Sequence, residues 1–252
     1  MLKKTLIDAD KLLSKLELKT VVVYSSQNNN CCISCHSDDD LAYVFVKSNE
    51  EGYMEKEFSL RSWNSMHSII GSFYNPETVD NFKLKIGYDS ENYPNTIEFK
   101  NGRIKLTHFL QNYSLLRNQQ ELLADYTKKK IALNQFTGDG DIIDDGIIKD
   151  VSRMSSLVNE KLFRINYKDG VGTYIYFGDE NQSADNGSII IDENVSTVQY
   201  KTDAYFPVDY FVGIYKAMSG NGFKMKFYSD KIIMINNGDI TSKVAIIRSK
   251  HQ

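Results

Sequence analysis

The chain has 252 residues, more than one compact core of ordinary size accommodates, so the expectation is two domains of roughly 100 to 150 residues. Its 41% hydrophobic and 12% aromatic content, with charges of both signs spread throughout, excludes a disordered polypeptide. A formal net charge of −3 excludes a surface that grips nucleic acid all over, while leaving room for a local basic lining.

The first segment, MLKKTLIDADKLLSKL, spaces its apolar residues at helical intervals and breaks them with charge. It therefore lacks the continuous apolar run of a signal peptide. No later stretch reaches the roughly eighteen uninterrupted apolar residues of a membrane-spanning helix, so the expected location is the cytoplasm, with no membrane partner.

Next come TVVVYSS and LAYVFVKS, two β-branched and aromatic runs that flank NNNCCISCHSDDD. Asparagines on one side and SDDD on the other are turn material, which gives strand, turn, strand, turn, strand. On the middle strand Cys31, Ile33 and Cys35 alternate with Cys32, Ser34 and His36 across its two faces. Cys32 and Cys35 form a CxxC, but there is no second ligand pair for a structural zinc site. A redox CxxC opens a helix after a strand, where the helix N-terminus stabilises the thiolate, and this one does not. The cysteines are expected to be small buried apolar residues, with no metal and no cofactor.

FSLRSWNSMHSIIGSF then places Trp63, Met66, Ile70 and Phe73 on one helical stripe. It is followed by the strand FKLKIGYD (82–89) and by IEFKNGRIKL (97–106), whose Asn-Gly pair signals a hairpin. Residues 111–134 break the strand pattern and are rich in polar residues, which marks an interdomain connector, with SLLRNQQELLADY as a possible helical turn within it. Domains of 1–110 and 135–252 lie on either side.

The second domain opens on GDGDIIDD, whose acids suit a helix N-terminus through the helix dipole, and passes into KDVSRM. It ends with FPVDYFVGIYKAMSG, carrying Phe211, Ile214 and Met218 on one stripe and Pro207 in its first turn, then FKMKFYSD (223–230) and IIMINNGDIT (232–241). These repeat the elements of the first domain in order. KLLSKL (11–16) lines up with KDVSRM (149–154), with Ala9, Leu13 and Leu16 answering Ile147, Val151 and Met154 as the apolar face. Lys11 and Lys15 then answer Lys149 and Arg153 as basic pairs four apart. Each half reads helix, three strands, helix, three strands.

No catalytic constellation emerges. The four histidines, His36, His67, His108 and His251, are scattered, with no HxxxH or GxSxG, and His67 sits on the second helix at the surface or its boundary. Asp38–Asp40 and Asp139–Asp145 are acidic clusters without EF-hand spacing, and they read as turn and cap residues. The chain is expected not to be an enzyme.

Two tandem copies of helix, strands, helix, strands, without a glycine-rich phosphate loop or a parallel βαβ rhythm, resemble the DNA sliding clamp fold. EFSLRSWNSMHSIIGSF with its FKLKI strand, DVSRM, and VVVYSSQNNNCCISCHSDDDLAYVFVK carry the resemblance, which is one of pattern over nearly the whole chain. Two domains per chain is similar to the trimeric clamps, proliferating cell nuclear antigen (PCNA) and the T4-type bacteriophage processivity factor. The resemblance implies an α+β fold of two similar domains, each with two helices packed on antiparallel sheets. It implies a homotrimeric ring, helices lining the hole and strands outside, continuous across subunit joints. It also implies a processivity factor that encircles double-stranded DNA without sequence preference, tethers a replicative DNA polymerase and is opened by a clamp-loader ATPase. A bacteriophage origin, and so the cytoplasm of an infected bacterium, follows from the T4-type likeness.

Lys11, Lys15, Arg61, Lys149, Arg153 and Lys216 are the cations expected to face DNA, with Asp8, Asp150 and Asp209 among them. A solvated helix face is the alternative for any one helix, and the two basic pairs at matching repeat positions favour the lining. Partner tails in such clamps dock beneath the connector, which points to Leu122, Leu123, Ile131 and Leu133, residues that could equally anchor the connector to its sheet. Two other classes compete: a structural or carbohydrate-binding β-sandwich protein of a phage particle, and an enzyme built on Cys32, Cys35 and His36.

Overall fold

The computed structural model describes residues 2–16, 18, 20–25, 30–51, 56–60, 62–74, 81–111, 144–168, 172–178, 185–192, 204–218, 223–228, 231–236 and 243–250. The chain divides into two units, residues 1–38 with 44–136, and residues 39–43 with 137–252. The first half contains α1 (Leu2–Leu13), β1 (Thr20–Ser25), β2 (Asn30–His36), β3 (Ala42–Glu51), β4 (Phe58–Leu60), α2 (Trp63–Phe73), β5 (Phe82–Tyr88), β6 (Pro94–Asn101) and β7 (Ile104–Phe109). The second contains α3 (Asp145–Val158), β8 (Leu162–Lys168), β9 (Gly172–Phe177), β10 (Gly187–Asp192), β11 (Tyr205–Pro207), α4 (Val208–Met218), β12 (Phe223–Tyr228), β13 (Lys231–Asn236) and β14 (Lys243–Arg248).

The two halves share one topology. Strands run β3-β2-β1-β4 in the first and β10-β9-β8-β11 in the second, each an order of third, second, first, fourth, and each half closes with an antiparallel meander, β5-β6-β7 or β12-β13-β14. The fold is therefore the expected α+β duplication, with one addition: a short fourth strand precedes the second helix in each half. β4 pairs with β1 (Val22 opposite Ser59) and β11 with β8 (Phe206 opposite Phe163). At three residues each, they are too short to give an alternating pattern in the sequence. Each also receives an isolated bridge from just beyond the last strand of its half, Gln111 to Ser59 and Lys250 to Tyr205.

Pro207 ends β11 rather than occupying the first turn of α4. A residue without an N–H is tolerated there because β11 is an edge strand.

The helical stripes are core. Trp63, Met66, Ile69, Ile70 and Phe73 of α2 are buried, as are Val208, Phe211, Ile214, Tyr215 and Met218 at the same spacing on α4. Phe73 packs with Phe82 and Phe99 at ring separations of 6.1 to 6.5 Å, whereas in the second unit Phe163 gathers Phe177, Phe206 and Phe211 at 5.0 to 6.0 Å. Burial of each such ring stabilises by about 2 to 3 kcal/mol.

Cys31, Cys32 and Cys35 lie on β2, buried and unpaired as disulfides, with Val21 opposite Cys35 and Tyr24 opposite Cys32. Burial pushes the Cys31 thiol up to about 11, although a hydrogen bond with Thr5 of α1 opposes it, and burial raises Cys35 too.

In the β6–β7 hairpin Asn101 pairs with Ile104, so the turn residues are Gly102 and Arg103, one step later than the Asn-Gly signal implies. Gly102 has φ +57, the left-handed value that the first central position of a type II′ turn requires. Asn101 is free to donate its side-chain N–H to the Phe73 carbonyl at the end of α2, at 2.7 Å.

Asp144 caps α3 as the acidic run suggests: its carboxylate accepts the Ile147 N–H at 2.8 Å. SDDD is likewise a turn, with Asp39 accepting the Leu41 N–H at 3.2 Å. All of the proposed connector except Gln111, and with it the possible helical turn and Leu122, Leu123, Ile131 and Leu133, lies outside the described residues. Among the described residues no helix is long and apolar enough to cross a membrane.

Candidate nucleic-acid interface

Each unit presents one pair of packed helices, and each pair is tied by a polar contact at its seam. In the first unit the Asp10 carboxylate of α1 accepts the indole N–H of Trp63 on α2 at 2.8 Å. His67 Nδ1 adds a second bond to the same carboxylate at 3.0 Å. The exposed histidine expected at the boundary of α2 is thus a second donor in the helix seam. In the second unit Tyr215 of α4 bonds the Asp145 side chain at the start of α3. Burial first, then the two acids Asp145 and Asp144, push its hydroxyl up to about 12.

These seams fix which helix faces look outward. On α3 the outward face carries Asp145, Lys149, Asp150, Arg153, Ser156 and Leu157, all exposed. On α1 it carries Lys4 and Lys11 with the half-buried Asp8, and Lys11 lies 3.5 Å from the Asp8 carboxylate. On α4 it carries Asp209 and Lys216. The outward face of α2 is neutral and polar apart from His67: Asn64, Ser65, Ser68, Gly71 and Ser72. Arg61 lies outside the described residues.

All five described cations of the expected set are therefore exposed, but their correspondence between halves differs from the sequence alignment. α1 ends at Leu13, so Lys15 lies in the turn beyond it, while Arg153 is well inside α3. Matching the buried faces pairs Leu6 with Ile148, Ala9 with Val151 and Leu12 with Met154. Lys11 then corresponds to Arg153 and Asp8 to Asp150, a shift of four residues. Lys4, near the start of α1, is an exposed helix cation that the repeat argument passed over, because KLLSKL begins after it.

The electrostatic character is mild. Alternating lysine or arginine with aspartate gives a lining whose attraction for a polyanion is weak and, at physiological salt, confined to a Debye length of about 8 Å. Among the described residues no group of three or more histidine, cysteine or acidic side chains is placed to hold a metal ion.

No protein-family model matches the chain, and no curated protein matches it in sequence. Solved structures do match. DNA polymerase III subunit beta from Borrelia burgdorferi, in complex with a natural product, matches over all of this chain and 62% of its own, with a TM-score of 0.64 at 10% identity. The DNA polymerase sliding clamp from Caulobacter crescentus matches 98% of this chain and 64% of its own, with a TM-score of 0.62 at 9% identity. A. fulgidus PCNA, bound to the C-terminal region of FEN-1, matches 99% of this chain and 96% of its own, with a TM-score of 0.55 at 12% identity. The chain thus spans less than two thirds of the bacterial structures and nearly all of PCNA.

Proposed function

We propose that this chain, whose fold is that of the DNA sliding clamps, is a processivity factor: a ring that encircles duplex DNA and tethers a replicative polymerase without catalysing a reaction itself. The observation that carries this reading is the duplicated helix pair with cations on its outward face, Lys4 and Lys11 in one half, Lys149, Arg153 and Lys216 in the other. A ring held by topology needs only weak contact with phosphates, because strong adhesion slows sliding. A lining of alternating charge suits that requirement, and a net charge of −3 leaves the remaining surface acidic.

The near-complete match to PCNA supports a homotrimer, since a two-unit chain supplies in three copies what the longer bacterial chains supply in fewer. The proposed domains, 1–110 and 135–252 with a connector between them, follow the same division. A polymerase and a clamp-loading ATPase are the partners such a ring requires. Leu122, Leu123, Ile131 and Leu133 of the connector are the proposed docking residues for a partner's tail, and the cytoplasm, in an infected cell if the protein is phage-encoded, is the proposed location.

The test is retention on closed circular duplex DNA in the presence of a loader. A topological ring stays on the circle and runs off after one cut by a restriction enzyme; a protein that stays on cut DNA, or never stays on the circle, is not a sliding clamp.

A further inference from the structure

Two sheet edges carry exposed large apolar residues. β7, the outer strand of β5-β6-β7, exposes Ile104 (64%), Leu106 (37%) and Phe109 (78%), and β10, the outer strand of β10-β9-β8-β11, exposes Ile190 (51%), with Leu157 (66%) on the α3 helix that packs on β10. Among the described residues neither strand has a neighbour on its outer side. Open apolar edges are an association hazard unless a partner covers them.

The repeat itself identifies the occupant. β14 is the counterpart of β7, since each is the third strand of its meander and each leads, two residues on, to the bridge with the short strand. Within the second unit the Arg248 N–H, at the end of β14, donates to the Leu41 carbonyl at 2.8 Å, so the residue that precedes β3 lies at the end of β14. β3 is the counterpart of β10, each the third strand of its four. The segment equivalent to Leu41 is therefore Asn186, just before β10, and its counterpart contact is with Phe109, at the end of β7.

Resting on the clamp reading above, we infer that β7 of one copy pairs antiparallel with β10 of the next, in the register that sets Phe109 opposite Asn186. Leu106 then stands opposite Ile189, Ile104 opposite Ile191, and Arg103 opposite Asp192. Charge agrees with this register: Arg103, Lys105 and His108 of the β7 segment include no acid, whereas Asp185 and Asp192 bound a β10 segment with no base. The contact is head-to-tail, using different edges on the two copies, and such contacts close into rings when the rotation allows.

Paired cysteines test both the edges and the register. Leu106→Cys with Ile189→Cys, oxidised with diamide at native concentration, is expected to give covalent multimers on a non-reducing gel. Leu106→Cys with Ser188→Cys, one residue out of register and on the opposite face, is expected to give few. The native thiols are buried and stay out of the reaction. In parallel, Arg103→Asp or Asp192→Arg alone is expected to lower the mass in sedimentation toward the single chain, and the two together to restore it. Equal crosslinking by both cysteine pairs, no crosslinking by either, or charge variants that assemble like the parent would overturn the pairing. A protein that crosslinks as expected but is not retained on circular DNA refutes the clamp function and leaves the interface standing.

Discussion

The Asp10 carboxylate on α1 accepts the indole N–H of Trp63 on α2 across 2.8 Å, and Trp63 is itself only 1% exposed. The bond joins two helices whose remaining contacts are apolar, and so sets their rotation as well as their distance.

Removing the acceptor strands a buried donor. Asp10→Ala is expected to cost about 2 kcal/mol of stability, and Asp10→Asn, which keeps a carbonyl oxygen, less than half of that. Trp63 is the sole tryptophan, so its fluorescence during urea unfolding reads the effect directly. Equal urea midpoints for Asp10→Ala and the parent would mean that the bond contributes nothing.

Gly102 isolates a backbone effect. A Cβ there meets no atom within 4 Å, so only its φ of +57 resists substitution. Gly102→Ala is expected to destabilise by roughly 1 kcal/mol and Gly102→Asn by less, since asparagine tolerates the left-handed region. Thermal unfolding of the two variants measures the order; the reverse order would assign the cost to side-chain contacts instead.

The buried thiols predict an alkaline limit. Cys31 ionises near 9.0 when unfolded and at about 11 when folded, because burial disfavours the thiolate. Between those values the unfolded chain has lost a proton that the folded one retains, so stability is intact below pH 9 and declines as pH rises towards 11. Denaturant midpoints across that window should fall, and Cys31→Ala should flatten the fall while lowering stability at pH 7. At pH 8 the folded protein should resist thiol reagents that label the unfolded chain fully.

On α3, Lys149 and Arg153 are exposed and stand four apart, close enough to act on one stretch of phosphates. Reversing both to glutamate is expected to shorten residence on circular DNA severalfold and to weaken its dependence on salt, with the assembled mass unchanged. The revised repeat register adds a comparison: Lys11→Glu should deepen the Arg153→Glu defect more than Lys15→Glu does. Retention assays at two salt concentrations decide this, and an unaltered residence time in the Lys149→Glu, Arg153→Glu protein would remove α3 from the lining.

Much of the architecture was legible because periodicity is a local property. Helical stripes such as Met66, Ile70 and Phe73, the alternation along β2 and the acidic cap at Asp144 are each written in a few consecutive residues. So was the duplication, because two copies of one chain path need the same order of patterns. The repeat register was less secure. A slip of four residues is about one helical turn, which leaves every apolar position on nearly the same face, and so the alignment of Lys15 with Arg153 looked as good as that of Lys11 with Arg153.

The sequence by itself determined what each segment is: its secondary structure, its buried face and its place in a doubled series. Tertiary structure alone decided where those faces meet. Only three dimensions bring Asp10 to Trp63 across 53 residues, or turn Asn101 from a presumed turn residue into a tether for the end of α2. Hydrogen bonds between distant side chains depend on distance and angle after the chain has packed, and one sequence read without its packing carries no record of either.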